Sequence, residues 1–186
     1  MARYVALLRG INVGGNKKVP MAQLRELMQG LGYTDVATLL QSGNAVFSSK
    51  EKNPAKLIKQ LEAALAETFG FEVAVVIRTR DELAAAIEAN PLPGAEDVPS
   101  QFLVTFLSDV PDQKQLQKLD PAAYLPDEFR AVGREIYARF PQGIRDSKLA
   151  TVLSGTRWGV TATARNWSTV TKLLELADKH TAPPRG

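Results

Sequence analysis

Arg9-Gly10-Ile11-Asn12-Val13-Gly14-Gly15-Asn16-Lys17-Lys18 is a glycine-rich stretch with cations at both ends, set between an apolar run and a helical pattern. Backbone N–H groups exposed by glycine, a helix start just downstream and flanking Arg and Lys together suit an anion. Two well-known phosphate motifs do not account for it. Gly10 and Gly15 have the separation of a P-loop, but Asn16 stands where the motif needs Lys, and Lys18 stands where Mg²⁺ needs a hydroxyl. The dinucleotide spacing G-x-G-x-x-G is absent, and Pro20 removes one N–H donor from the helix start. What survives is a general anion site in which Arg9, Lys17 and Lys18 supply charge and Asn12, Gly14, Gly15 and Asn16 supply hydrogen bonds.

Two further polar groups qualify by residue type. Gln41-Ser42-Gly43-Asn44 is a turn sequence whose residues tolerate positive φ or bond their own backbone. Ser147-Lys148 and Arg165-Asn166 each precede a helical pattern, so Ser147 and Asn166 read as N-caps. Arg165 has a planar fork suited to carboxylate or phosphate, and Lys148 adds a second cation. Trp158 and Trp167 read as core or lid aromatics rather than base-stacking platforms.

Other chemistries are closed off. The chain has no Cys, and its lone His180 lies in the polar C-terminal tail. Thiol nucleophiles, disulfides, histidine metal pairs and a Ser-His-Asp relay are therefore absent from it. The candidate blocks hold Asp146 but no carboxylate pair, so no catalytic residue or reaction class is assigned, and neither a metal nor a cofactor is expected. The formal charge is +3, unevenly spread. Residues 1–20 carry Arg3, Arg9, Lys17 and Lys18 with no acid, whereas residues 81–128 hold ten acids against Lys114 and Lys118. That asymmetry permits a basic face. The apolar run at the start is too short for a signal peptide, and no stretch is long enough to span a bilayer, so a cytoplasmic protein with no membrane partner is expected.

Periodicity supplies the elements that must position these groups. Tyr4–Arg9 reads as a buried strand. Met21, Leu24, Leu27, Met28 and Leu31 form a helical stripe with Pro20 in the first turn and Gly32 as its stop. Asp35–Leu40 and Ala45–Ser49 read as a hairpin around 41–44. Asn53-Pro54 opens a helix closed by Gly70, Glu72–Arg78 is another strand, and Thr79 with Glu82 forms a capping box for a helix to about Asn90. The order β-α-β-β-α-β matches a split βαβ unit. After Pro91, Pro93, Gly94 and Pro99 the order restarts, with strands at 102–107, 129–132, 135–140 and 160–163, and helices at 112–119, 147–153 and 166–177. The expected fold is α+β, two ferredoxin-like (split βαβ) halves packed together, with antiparallel sheets and helices on one face. Residues 1–90 form the first half, 91–100 a linker and 101–186 the second. Sheet order 4-1-3-2 sets the loop after strand one beside the turn after strand two, so residues 10–19 and 41–44 are expected as neighbours. Their amides and hydroxyls either face a ligand or satisfy each other's backbones.

The blocks Ala6–Gly15, Lys18–Met21, Gln41–Asn44, Ser147–Leu149 and Thr163–Trp167 resemble the bacterial family known as domain of unknown function 1697. The resemblance implies an α+β architecture of two ferredoxin-like halves and brings no activity or catalytic residues with it. From the residues themselves, the leading expectation is binding of a small anionic ligand, a nucleotide or phosphorylated metabolite, by Arg9, Asn12, Gly14, Gly15, Asn16, Lys17, Lys18, Gln41, Ser42 and Asn44, with Lys148, Arg165 and Asn166 converging on it. A nucleic-acid-binding module is the second choice, since ferredoxin-like sheets display RNA; Asn44–Ser49 lacks the aromatics of the RNP signature. A structural or protein-interaction domain is the third.

Overall fold

Two four-stranded antiparallel sheets carry the chain, in the orders β2-β3-β1-β4 and β6-β7-β5-β8. The computed structural model describes residues 1–179, and His180 lies outside them. Chain contacts separate two compact units, Met1–Ala84 together with the chain from Lys172, and Ala85–Thr171.

The first unit runs β1 (Ala2–Leu8), α1 (Met21–Gly30), β2 (Thr34–Leu39), β3 (Asn44–Ser49), α2 (Pro54–Phe69) and β4 (Val75–Thr79), followed by α3 (Arg80–Glu88). This is the expected β-α-β-β-α-β order with sheet order 4-1-3-2. Alternation on β1 places Tyr4, Ala6 and Leu8 against the helices, where they meet Leu24 and Met28 of α1, Leu57, Leu61 and Leu65 of α2, and Phe47 of β3. Phe47 stacks between Tyr4 and Tyr33, with ring centroids 5.5 Å and 4.6 Å away. The helix ends follow local chemistry. Asn53 accepts the Ala55 N–H at the start of α2, and Gly70 closes it in the left-handed conformation. The end of α1 is a Schellman turn, in which Gly32 N–H donates to Gln29 and Tyr33 N–H to Met28. The Thr79–Glu82 capping box forms in both directions.

The second unit runs β5 (Phe102–Leu107), α4 (Gln113–Gln117), β6 (Glu128–Val132), β7 (Glu135–Arg139), α5 (Lys148–Leu153) and β8 (Ala162–Asn166), and α6 (Trp167–Asp178) follows. Its core gathers Leu107, Phe129, Ile136, Ala138, Leu149, Leu153 and the fully buried Trp158. Residues 91–98 hold neither helix nor strand, although Leu92 and Ala95 are buried.

The strand ends shift from their periodicity, by one or two residues at β1 (Ala2–Leu8) and β2 (Thr34–Leu39) and further at β4 and β8. The extended reading of 72–78 becomes Val75–Thr79, and the Val75 N–H at its start donates to the Glu62 carboxylate. The last strand begins at Ala162 and extends to Asn166, in register with β5 from Leu107↔Ala162 to Leu103↔Asn166. A short polar-apolar mixture such as Thr163-Ala164-Arg165 has no clear period of its own, and cross-strand pairing decides it. No helix among the described residues is long and apolar enough to cross a membrane.

Candidate functional site

The end of β1 is held on both sides. Leu8 N–H donates to the Gly43 carbonyl at 2.8 Å, and Arg9 N–H donates to the Ala74 carbonyl at 2.9 Å. The chain then leaves the sheet through Gly10 at φ 67°. Ile11 and Val19 are buried and anchor the two ends of the loop, while the tip stands out in solvent, with Val13 65% exposed. Between them the loop folds into a miniature hairpin. Val13 and Asn16 form a bridge, Asn16 N–H donates to the Val13 carbonyl, and Gly14 and Gly15 occupy the turn at φ 58° and 77°. Two successive positive φ values are what a two-residue I′-type turn requires, which accounts for the glycine pair.

Asn12 closes this hairpin at its base. Its side-chain Nδ2 donates to the carbonyls of Val19 (3.0 Å) and Gln41 (2.7 Å), and its Oδ1 accepts the Val19 N–H at 2.8 Å. The loop and the 41–44 turn are thus neighbours, and Gly43 is the contact point. A Cβ there would lie 2.8 Å from Leu8 Cβ and 2.8 Å from Ile11 Cδ1. Asn44 is buried, with Nδ2 donating to the Leu39 carbonyl and to Ser42 Oγ. Asn12, Ser42 and Asn44 therefore tie turns together and satisfy neighbouring backbones.

The cations behave differently. A cleft of about 600 Å³ opens beside the loop, lined by Arg9, Gly10 and Lys17, by Lys59, Glu62, Ala63 and Ala66 of α2, and by Glu72, Val73 and Ala74 leading into β4. Lys17, at φ 48°, reaches across to donate to the Glu72 carbonyl at 3.0 Å. Arg9 is half-buried, and among the described residues its guanidinium takes part in no hydrogen bond or ion pair. Asn16 and Lys18 are exposed on the arm of the hairpin and do not line the cleft. Sequence reasoning missed the α2 contribution. Its signal is the set 59, 62, 63 and 66, spaced as one helical face beside the apolar stripe Leu57, Leu61 and Leu65.

Lys148, Arg165 and Asn166 belong to the second unit. Ser147 caps α5 by accepting the Ala150 N–H, and its hydroxyl donates to Asp127 Oδ2 at 2.7 Å. Lys148 lines a cleft of about 410 Å³ with Asp127 and Asp146. Arg165 is the penultimate residue of β8 and only 7% exposed, with Nη1 donating to Thr163 Oγ1 (2.6 Å) and the Ala164 carbonyl (2.9 Å). Burial pulls its pKa down to about 10, so it stays cationic at neutral pH. Asn166 caps α6 through the Thr169 N–H. Trp158 and Trp167 are core residues. No group of His, Asp or Glu side chains among the described residues is arranged to hold a metal ion.

Comparison with known families decides what kind of protein carries this corner. Residues 1–137 match the family described as a protein of unknown function, DUF1697. The chain belongs to the DUF1697 family. A search of curated proteins finds no match. Among solved structures, this DUF1697 chain is similar to the conserved bacterial protein SP0830 of Streptococcus pneumoniae, with a TM-score of 0.76 and 24% identity over 95% of this chain and 98% of that one. At that identity the likeness establishes a shared fold. The match of residues 1–137 takes in the glycine-rich loop, the 41–44 turn and all of α2, so every element of the cleft lies within the DUF1697 region.

Proposed function

We propose that this DUF1697 protein binds a small anionic ligand, a nucleotide or phosphorylated metabolite, in the cleft beside the glycine-rich loop. The observation that carries this reading is Arg9, a half-buried guanidinium without a partner among the described residues, lining the same cleft as Lys17 and Lys59. A fork of N–H donors held partly out of water is suited to phosphate or carboxylate oxygens. A purely structural role for the corner accounts for Asn12, Ser42 and Asn44 but leaves Arg9 unexplained. Nucleic-acid binding ranks lower because β3 is buried from Asn44 to Ser49 and offers no aromatic platform of the RNA-binding kind. No reaction is assigned. A cytoplasmic setting, in keeping with the cysteine-free composition, is part of the same reading.

Thermal melting in the presence of inorganic phosphate, a sugar phosphate and adenosine monophosphate tests it. A ligand at one hundred times its Kd stabilises by about 2.7 kcal/mol, which raises the melting temperature of a chain this size by several degrees. Arg9→Ala with Lys17→Ala is expected to abolish the rise, whereas Lys18→Ala, outside the cleft, keeps it. No rise in the wild type with any of the three compounds would overturn the reading.

A further inference from the structure

The floor and the charges of the cleft narrow its ligand further. On the reading just proposed, we infer that the cleft takes a small phosphorylated amine: a non-aromatic phosphate monoester with an amino group a few bonds away.

The space itself comes from missing side chains. Gly10, Ala63, Ala66 and Ala74 line it, and the remaining apolar wall is Val73. Ala63 and Ala66 sit one helical turn apart on α2, so the helix face toward the cleft is flat. No aromatic ring is among the lining residues, which leaves a nucleobase nothing to stack on.

The charges are of both signs and come from three segments. Arg9 and Lys17 stand on the loop, Lys59 and Glu62 on α2, and Glu72 on the approach to β4. Among the described residues none of these five forms an ion pair with another, although they line one cleft. Glu62 uses one carboxylate oxygen to accept the Val75 N–H. Three cations against two carboxylates leave one positive charge over. A simple polyanion would bring negative charge close to Glu62 and Glu72, and like charges repel. A phosphate monoester carries about −1.5 to −2 at neutral pH. With one ammonium it nets about −0.5 to −1, complementing the single positive charge of the lining, its phosphate facing Arg9 and Lys17 and its amine facing the two carboxylates.

Isothermal titration of the full chain with O-phosphoethanolamine, glycerol 3-phosphate, inorganic phosphate and adenosine monophosphate tests this. O-phosphoethanolamine should bind at least tenfold more tightly than glycerol 3-phosphate, which offers the same phosphate without the amine. The variant Glu62→Gln, Glu72→Gln should erase that preference while phosphate binding persists, since the amide oxygen introduced by Glu62→Gln still accepts the Val75 N–H. Ala63→Leu, at an exposed helix position, should fill the cleft and remove binding with the circular dichroism and melting temperature intact. The same headgroup presented on phosphatidylethanolamine vesicles should not bind, and vesicle binding in place of free O-phosphoethanolamine would overturn the assignment. Equal binding of all phosphate compounds, or tighter binding of adenosine monophosphate, would leave the anion site standing and sink the amine inference. Binding of none would overturn both.

Discussion

The two units close their first strands in the same way and then part company. In the first, Leu8 N–H meets the hairpin carbonyl of Gly43 and Arg9 N–H meets Ala74; in the second, Leu107 N–H meets the hairpin carbonyl of Arg134 and Ser108 N–H meets Thr161. Arg9 and Ser108 therefore occupy equivalent places. The connection from there to the next helix runs through residues 9–20 in the first unit and 108–112 in the second. The longer one is basic and glycine-rich, and the shorter carries Asp109 and Asp112. Ser108 uses its hydroxyl to accept the Thr161 N–H, whereas Arg9 keeps its guanidinium unengaged among the described residues. The helices after the hairpins differ as well, 16 residues in α2 against 6 in α5. The connection into the last strand holds the core residue Trp158 in the second unit and the small cleft residues Val73 and Ala74 in the first. The shared topology supplies the corner. A long loop and a long alanine-faced helix turn one copy of that corner into a cleft.

The comparison is most exposed at the hairpin carbonyls. Gly43 has φ +90° and no room for a Cβ against Leu8 and Ile11, while Arg134 holds the equivalent carbonyl with a full side chain. Gly43→Ala is expected to cost about 3 kcal/mol, from left-handed strain together with overpacking. Arg134→Ala should cost less, and urea denaturation of both variants measures the difference. Equal losses would mean that the two turns are built alike after all. Next in size is Asn12→Ala, which removes two donated bonds and one accepted bond at the loop base. A loss of about 2 kcal/mol is expected, with faster amide exchange at Val19. Ser108→Ala, which removes one acceptor in the equivalent corner, should cost about 1 kcal/mol.

A gain is expected inside the second unit. Among the described residues the Thr105 hydroxyl, buried on the strand that pairs with both β7 and β8, has no hydrogen-bond partner. Thr105→Val keeps the shape, removes the unsatisfied group and should stabilise by about 1 kcal/mol in denaturant melts. The smallest effect concerns surface ion pairs. Arg80 grips Asp178 through two bonds, 2.7 and 3.2 Å, whereas Arg139 stands 3.9 Å from Glu128. The Arg80 hydrogen bonds hold the Asp178 carboxyl below its ordinary pKa. A depressed carboxylate pKa contributes stability above the unfolded value, near 3.9, and loses it as pH falls through the folded value. Asp178→Asn should therefore narrow the gap between melting temperatures at pH 7 and pH 3, and high salt should shrink its effect, because the pair is exposed. At pH 7 Glu128→Gln should lower the melting temperature by less than Asp178→Asn does, because its partner Arg139 stands 3.9 Å away.

The adjacency of loop and hairpin is legible in the sequence. Gly32, Gly43 and Gly70 punctuate apolar periods of two different lengths, and those periods imply a sheet order that sets residues 10–19 beside 41–44. The role of Asn12 was not legible, since an asparagine in a glycine loop suits a ligand and a neighbouring carbonyl equally well, and only the 2.7 Å approach of Gln41 separates them. Arg165 is a related case. Its place before a helix and its planar fork suit an anion, and pairing of Val104 with Arg165 places it in β8 and buries it.

Sequence alone determined the elements, their order, the strand-to-helix loop and the DUF1697 resemblance, because capping residues, positive-φ glycines and apolar periods act over a few neighbouring positions. Only the tertiary structure decided which charges share a cleft. Lys59, Glu62, Ala63 and Ala66 look like an ordinary solvated face of α2 until the helix is laid beside Arg9 and Lys17. The angle at which it is laid follows from how Leu57, Leu61 and Leu65 pack in one core with Val75 and Ile77 of β4, a long-range agreement of shapes that no local window of residues contains.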